Sequence, residues 1–107
     1  MAPQLRYEIY LPTLYNDKNP IEAKKYRYIK NKLQNQFQGL SIHPATVQGF
    51  WINPETKELL CDNCFRYEIV VDKLPQNEEF FESFKQELKE LLVQHEIFMI
   101  ATEINRV

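Results

Sequence analysis

Residues 5 to 11, Leu-Arg-Tyr-Glu-Ile-Tyr-Leu, alternate with a period of two. Tyr7, Ile9 and Leu11 fall on one side, and Arg6, Glu8 and Tyr10 on the other. That is the pattern of a strand with one face in a core, and Pro12 ends it. After a polar loop, Asn19-Pro20-Ile21-Glu22 predicts a helix start, with Asn19 as cap, Pro20 at the first helical position and Glu22 completing a capping box. Tyr26, Ile29, Leu33 and Phe37 then recur at spacings of three and four, an apolar stripe. Lys24, Lys25, Lys30, Lys32 and Gln34 cover the other side. Gly39 fits the residue just past the helix, which is predicted over 20–38.

The period returns to two over 46–52, Thr-Val-Gln-Gly-Phe-Trp-Ile, a second strand. Phe50 and Trp51 lie on its opposite faces. One of them is expected in the core, and the other on the exposed sheet, where it would mark an interface. Asn53-Pro54-Glu55-Thr56 is a turn. The chain returns through Glu58-Leu59-Leu60 into a third strand over 65–71, with Phe65, Tyr67, Ile69 and Val71 opposite Arg66, Glu68 and Val70. Asn77 caps a second helix whose stripe is Phe81, Phe84, Leu88, Leu91, Leu92 and His95. Glu78 and Glu79 suit its first turn. Ile97 to Ile104 is the last strand.

The predicted order is strand-helix-strand-strand-helix-strand. Arg6-Tyr7-Glu8-Ile9-Tyr10 and Arg66-Tyr67-Glu68-Ile69-Val70 echo each other on the strands that open the two halves. Together these point to an α+β, ferredoxin-like βαββαβ sandwich: a four-stranded antiparallel sheet of order 4-1-3-2, with both helices on one face. At 107 residues the chain is expected to form one domain over 1–107.

Composition narrows the function classes. With 13 basic and 15 acidic residues the net charge is -2, so the basic footprint of a nucleic-acid binder is missing. No apolar run is long enough for a membrane span. The start of the sequence has no secretion signal, so a cytoplasmic chain with reduced thiols is expected. Gly39 and Gly49 are the only glycines, and Ser41 and Ser83 the only serines. Phosphate-cradling loops, dinucleotide fingerprints and nucleophile elbows are thereby excluded.

This topology gathers three connections at one end. Tyr15, Asn16 and Asp17 come from the first, Cys61, Asp62 and Cys64 from the hairpin, and Gln94, His95 and Glu96 from the last. His43 is expected in a loop at the opposite end. The outward Arg6, Glu8, Arg66 and Glu68 are expected to pair across the central strands, giving a sheet face that is wet or covered by a partner. Cys61-x-x-Cys64 is half of a zinc site. Zinc needs four ligands; His95 could approach, but a complete site requires a second chain, and two reduced thiols is the simpler reading. A redox role needs a helix N-terminus beside the thiols, and this pair precedes a strand. His95 is the one general-base candidate near carboxylates, although a histidine at a helix C-terminus is more often a dipole partner.

Leu11-Pro12-Thr13 followed by Tyr15-Asn16-Asp17, Gly49-x-Trp51, Asp62, Phe84-Lys85-x-x-Leu88 and Gln94-x-Glu96-Ile97 together resemble an uncharacterised bacterial family of small ferredoxin-like α+β proteins. The resemblance spans nearly the whole chain. It departs at Phe37-Gln38-Gly39, where Phe-Gly-Gly is expected, and in the cysteine pair, which is peculiar to this chain. It implies the ferredoxin-like fold and no activity, and it draws attention to Tyr15, Asn16, Asp17, Trp51 and Asp62.

The function expected is that of a non-enzymatic binding or regulatory module acting through its sheet face as a homodimer. No cofactor is expected, and the small-molecule ligand is unknown. Tyr15, Asn16, Asp17, Trp51, Asp62 and His95 are the candidate ligand-binding residues, and Cys61 and Cys64 the candidate metal ligands. The alternatives are a small cofactor-free enzyme using Asp17, Asp62, His95 and Glu96 as acid/base groups, and an RNA-binding module. The latter is disfavoured by the acidic balance and by a third strand lacking the aromatic signature of RNA-recognition sheets.

Overall fold

A computed structural model describes residues 3–37, 39–57 and 59–107, and the side chains of all of these except 44 and 59–62. The chain runs β1 (Gln4–Pro12), α1 (Ala23–Gln36), β2 (Ser41–Ile52), β3 (Leu59–Asp72), α2 (Pro75–Leu91) and β4 (Met99–Ile104). The arrangement is α+β, two helices with one antiparallel sheet in the order β2-β3-β1-β4. That is the expected order, but the plainness of the strands is not. β2 pairs with β3 over Ser41–His43 and again over Val47–Ile52, with a register shift between. Counted by its two halves, it makes the sheet one of five strand segments rather than four. The shift falls where Pro44 has no N–H to give the ladder.

β1 and β3 obey their alternation. Leu5, Tyr7, Ile9 and Leu11 of β1, with Tyr67, Ile69 and Val71 of β3, are buried in one cluster with Ile29 and Leu33 of α1 and Phe81, Phe84 and Leu88 of α2. Both helices therefore cover the same sheet face. Tyr7 stacks on Phe81 at 3.7 Å, and Phe37 stacks on the same ring at 5.3 Å. At the edge of the core, the Tyr26 hydroxyl donates to the Pro12 carbonyl at 2.5 Å. Burial, chiefly, pushes that phenol up to about 12.

The helix ends differ from the expected ones. The α1 N-cap is Glu22, without a side-chain capping bond. Asn19 is occupied instead with Asp17, and Pro20 is bridged to Leu14 across the loop. Gly39 does not take the left-handed conformation, because α1 stops at Gln36 and Phe37 is already extended. Pro75 opens α2, so Asn77 lies inside it and its amide donates to the Asp72 carbonyl. The predicted stripes hold at Ile29, Leu33, Phe81, Phe84, Leu88 and Leu92, whereas His95 is exposed beyond the helix.

β1 ends opposite Cys64, while the β2–β3 ladder continues to Ile52 and Leu59. This end of the hairpin is thus a two-stranded ribbon along one flank of a molecule with extents of 45 × 30 × 25 Å. At the other side, Gln4 pairs with Ile104, so the first strand lies against the last.

Candidate functional site

Neither helix covers the second face of the sheet. Along β1 it presents Arg6, Glu8 and Tyr10; along β3, Val70, Glu68 and Arg66; and along β2, Ser41 and His43. The register sets Glu8 directly opposite Glu68, a like-charge pair that destabilises unless a cation lies near. Arg66 supplies it. Its Nη1 is 3.9 Å from Glu8 and its Nε 3.7 Å from Glu68. His43 closes the group, with Nδ1 3.3 Å from Arg66 Nη2 and Nε2 3.5 Å from Glu68. His43 was expected in a loop at the far end; the first half of β2 carries it onto the face.

Glu8 is only 9% exposed on the sheet face opposite the one both helices cover. The Nε atoms of Arg6 and Arg66 are also buried with no hydrogen bond among the described residues, Glu68 standing too far from Arg66 Nε to make one. The Arg6 side chain makes no hydrogen bond or ion pair among the described residues. The centre of the face is therefore polar, crowded and incompletely satisfied, a condition native proteins seldom leave unexplained.

Beside it lies an aromatic group. Phe98, just before β4, sits 5.4 Å from Tyr10 and 5.1 Å from Trp51. Phe98 is 41% exposed, and Tyr10 and Trp51 are half-buried. Gly49 makes the approach of Trp51 possible: a Cβ there would stand 2.9 Å from the indole Nε1. Of Phe50 and Trp51, neither enters the core. Trp51 folds onto Phe98, and Phe50 is 61% exposed.

The residues picked from the sequence divide into separate places. Tyr15 donates to Glu22 and accepts from the Lys25 ammonium, which also donates to the Leu91 carbonyl at 2.7 Å. This cluster ties the start of α1 to the end of α2. The Tyr15 bond, above all, lowers the Glu22 carboxyl and raises the Lys25 ammonium. Asp17 spends both carboxylate oxygens on Asn19, a local turn, and Asn16 is exposed beside it. His95 is exposed and has no hydrogen bond or ion pair among the described residues. Glu96 pairs with Lys85 at 3.1 Å. Cys64 is buried. The backbone of Cys61 and Asp62 pairs with Phe50 and Gly49, but their side chains, and with them the cysteine-pair and Asp62 expectations, lie outside the described residues. No group of three or more His, Cys, Asp or Glu fit for a metal occurs among the described residues. No helix among the described residues is long and apolar enough to cross a membrane.

Solved structures share the fold, although no family model and no curated protein matches the chain. A phage SAM lyase in complex with S-methyl-5'-thioadenosine superposes with a TM-score of 0.71 at 13% identity, over 96% of this chain and 83% of that one. The GlnK–ATP complex of B. subtilis gives 0.58 at 18% identity, over 97% and 84%. At such identities the likeness is one of fold alone.

Proposed function

We propose that this chain is a ferredoxin-like, non-enzymatic binding or regulatory module that acts as a homodimer and takes an adenosine-type small molecule on its open sheet face. The observation that carries this reading is the state of that face: a nearly buried Glu8 beside Glu68, Arg66 and His43, with the flat rings of Tyr10, Phe98 and Trp51 next to it. A purine has both a π face for such rings and polar edges for such a centre. Arg6, four positions from Tyr10 on the same strand face, about 13 Å along it, has a guanidinium available for an anionic group. The two fold neighbours, each in complex with an adenosine-bearing molecule, support the choice of ligand class. Membership of the small bacterial family that the sequence resembles belongs to the same reading.

Titration calorimetry with S-methyl-5'-thioadenosine and with ATP tests it. One-site binding of at least one ligand is expected. It should weaken at least tenfold, about 1.4 kcal/mol, in Phe98→Ala, and stay unchanged in Asp17→Ala and His95→Ala. The absence of heat with both ligands at millimolar concentration would remove the reading. Binding lost in His95→Ala but kept in Phe98→Ala would move the site to the loop end.

A further inference from the structure

The two edges of the sheet are β2 and β4, and they are guarded differently. β4 is short and carries Glu103, paired with Lys73 at 3.5 Å. β2 is twice as long and has no Lys, Arg, Asp or Glu in its sequence, Ser-Ile-His-Pro-Ala-Thr-Val-Gln-Gly-Phe-Trp-Ile. Its first half is broken by the register shift and by Pro44, both common protections of an edge. Its second half, Val47 to Ile52, has neither. There Phe50 is 61% and Ile52 68% exposed. Beyond Cys64 the ribbon has no β1 behind it, and two strands alone are marginally stable in water. No strand pairs with the outer edge of β2 among the described residues.

We infer that Val47 to Ile52 is where a second copy of this chain joins, by antiparallel pairing of β2 with β2 about a two-fold axis. The inference rests on the homodimer of the proposed function and places its interface at the strand edge rather than on the sheet face. The lack of charge selects the occupant. A two-fold axis sets a segment against its own copy, so any charge near the axis meets its like. A foreign strand would impose no such limit, since opposite charges would favour it. In a chain with 26% charged residues, an unguarded, uncharged edge is what self-pairing requires. The joint sheet adds a third strand to each ribbon. It also leaves both open faces on the same continuous sheet, free for ligand.

Light scattering after size exclusion, with amide hydrogen exchange of the intact chain at high and low concentration, tests the inference. A dimer is expected, with the outward amides of Val47–Ile52 exchanging at least tenfold more slowly at high concentration. Phe50→Lys and Phe50→Glu, at an exposed position that leaves the core alone, should each give folded monomers that recombine as a mixed dimer. A wild-type monomer at high concentration would overturn both this inference and the homodimer. A wild-type dimer whose β2 amides exchange equally at both concentrations, or dimers of both variants separately, would overturn the edge and leave the homodimer standing.

Discussion

Tyr26 and Gly49 show how single residues set local behaviour. Tyr26 sits over the end of β1, where its hydroxyl caps the Pro12 carbonyl and its ring meets Phe65 edge-on. Its pKa is raised from the ordinary 10.0 to about 12. Between these values the unfolded chain has lost the phenolic proton and the folded one still holds it. The stability linked to this group is therefore present below pH 10 and is lost as pH rises toward 12. Ultraviolet titration should show one tyrosine ionising near 12, absent from Tyr26→Phe, which should be destabilised by about 1 kcal/mol in denaturant melts. At Gly49 the prediction concerns space. Gly49→Ala places a methyl against the indole, so Trp51 must leave Phe98. As Trp51 is the sole tryptophan, a red shift in fluorescence should accompany a loss of about 1 kcal/mol or less at this half-open position.

Between elements, the helices are joined by side chains at two points. Lys25 donates to the Leu91 carbonyl at the end of α2, and Glu87 of α2 receives both Tyr28 and Lys32 of α1. Burial opposes the charge of Glu87, yet the bonds from Lys32 and Tyr28 outweigh it and leave the carboxyl below its usual 4.5. A lowered folded pKa gives stability that is present above 4.5 and lost as pH falls through the folded value. Glu87→Gln should cost about 0.5 kcal/mol at pH 7, since the pair is partly solvated, and progressively less as the pH falls below 4.5; chemical melts across that range read this directly. These elements were legible in the sequence wherever burial enforced a period. β1, the core half of β3 and both helix stripes follow from alternation and from spacings of three and four. What the period could not reveal lies where burial stops. The first half of β2 has no clean alternation, so the sequence presents His43 as loop and does not show its place beside Arg66. Asn19 and Asn77 look like caps because they are good ones, but Asp17 and Asp72 engage them first. Arg6, Glu8, Arg66 and Glu68 were expected to pair outward. The near burial of Glu8 does not follow from the alternation, which puts it on the face that the helices leave open.

Across the whole molecule, one cluster joins β1, β3 and both helices, and Phe81 is its hub, touching Tyr7, Phe37 and Phe80. Phe81→Ala removes a ring from both helix–sheet and helix–connection contacts. A loss of about 3–5 kcal/mol is expected in a single cooperative transition, with helix ellipticity and near-ultraviolet signals falling together; separated transitions would mean the two halves melt independently. The pairing of Gln4 with Ile104 has a different kind of consequence. Because the sheet itself closes the distance between those residues, the order in which the strands are synthesised is not part of what holds them. A circular permutant, linked between these neighbours and opened in the Asn53–Lys57 turn, would retain every ladder. The hairpin would become a pairing of the chain's two ends, so the most local contact in the fold would turn into the most distant one. Comparing the folding rate of that permutant with that of the parent would show whether the β2–β3 ribbon starts the sheet or is added to it last.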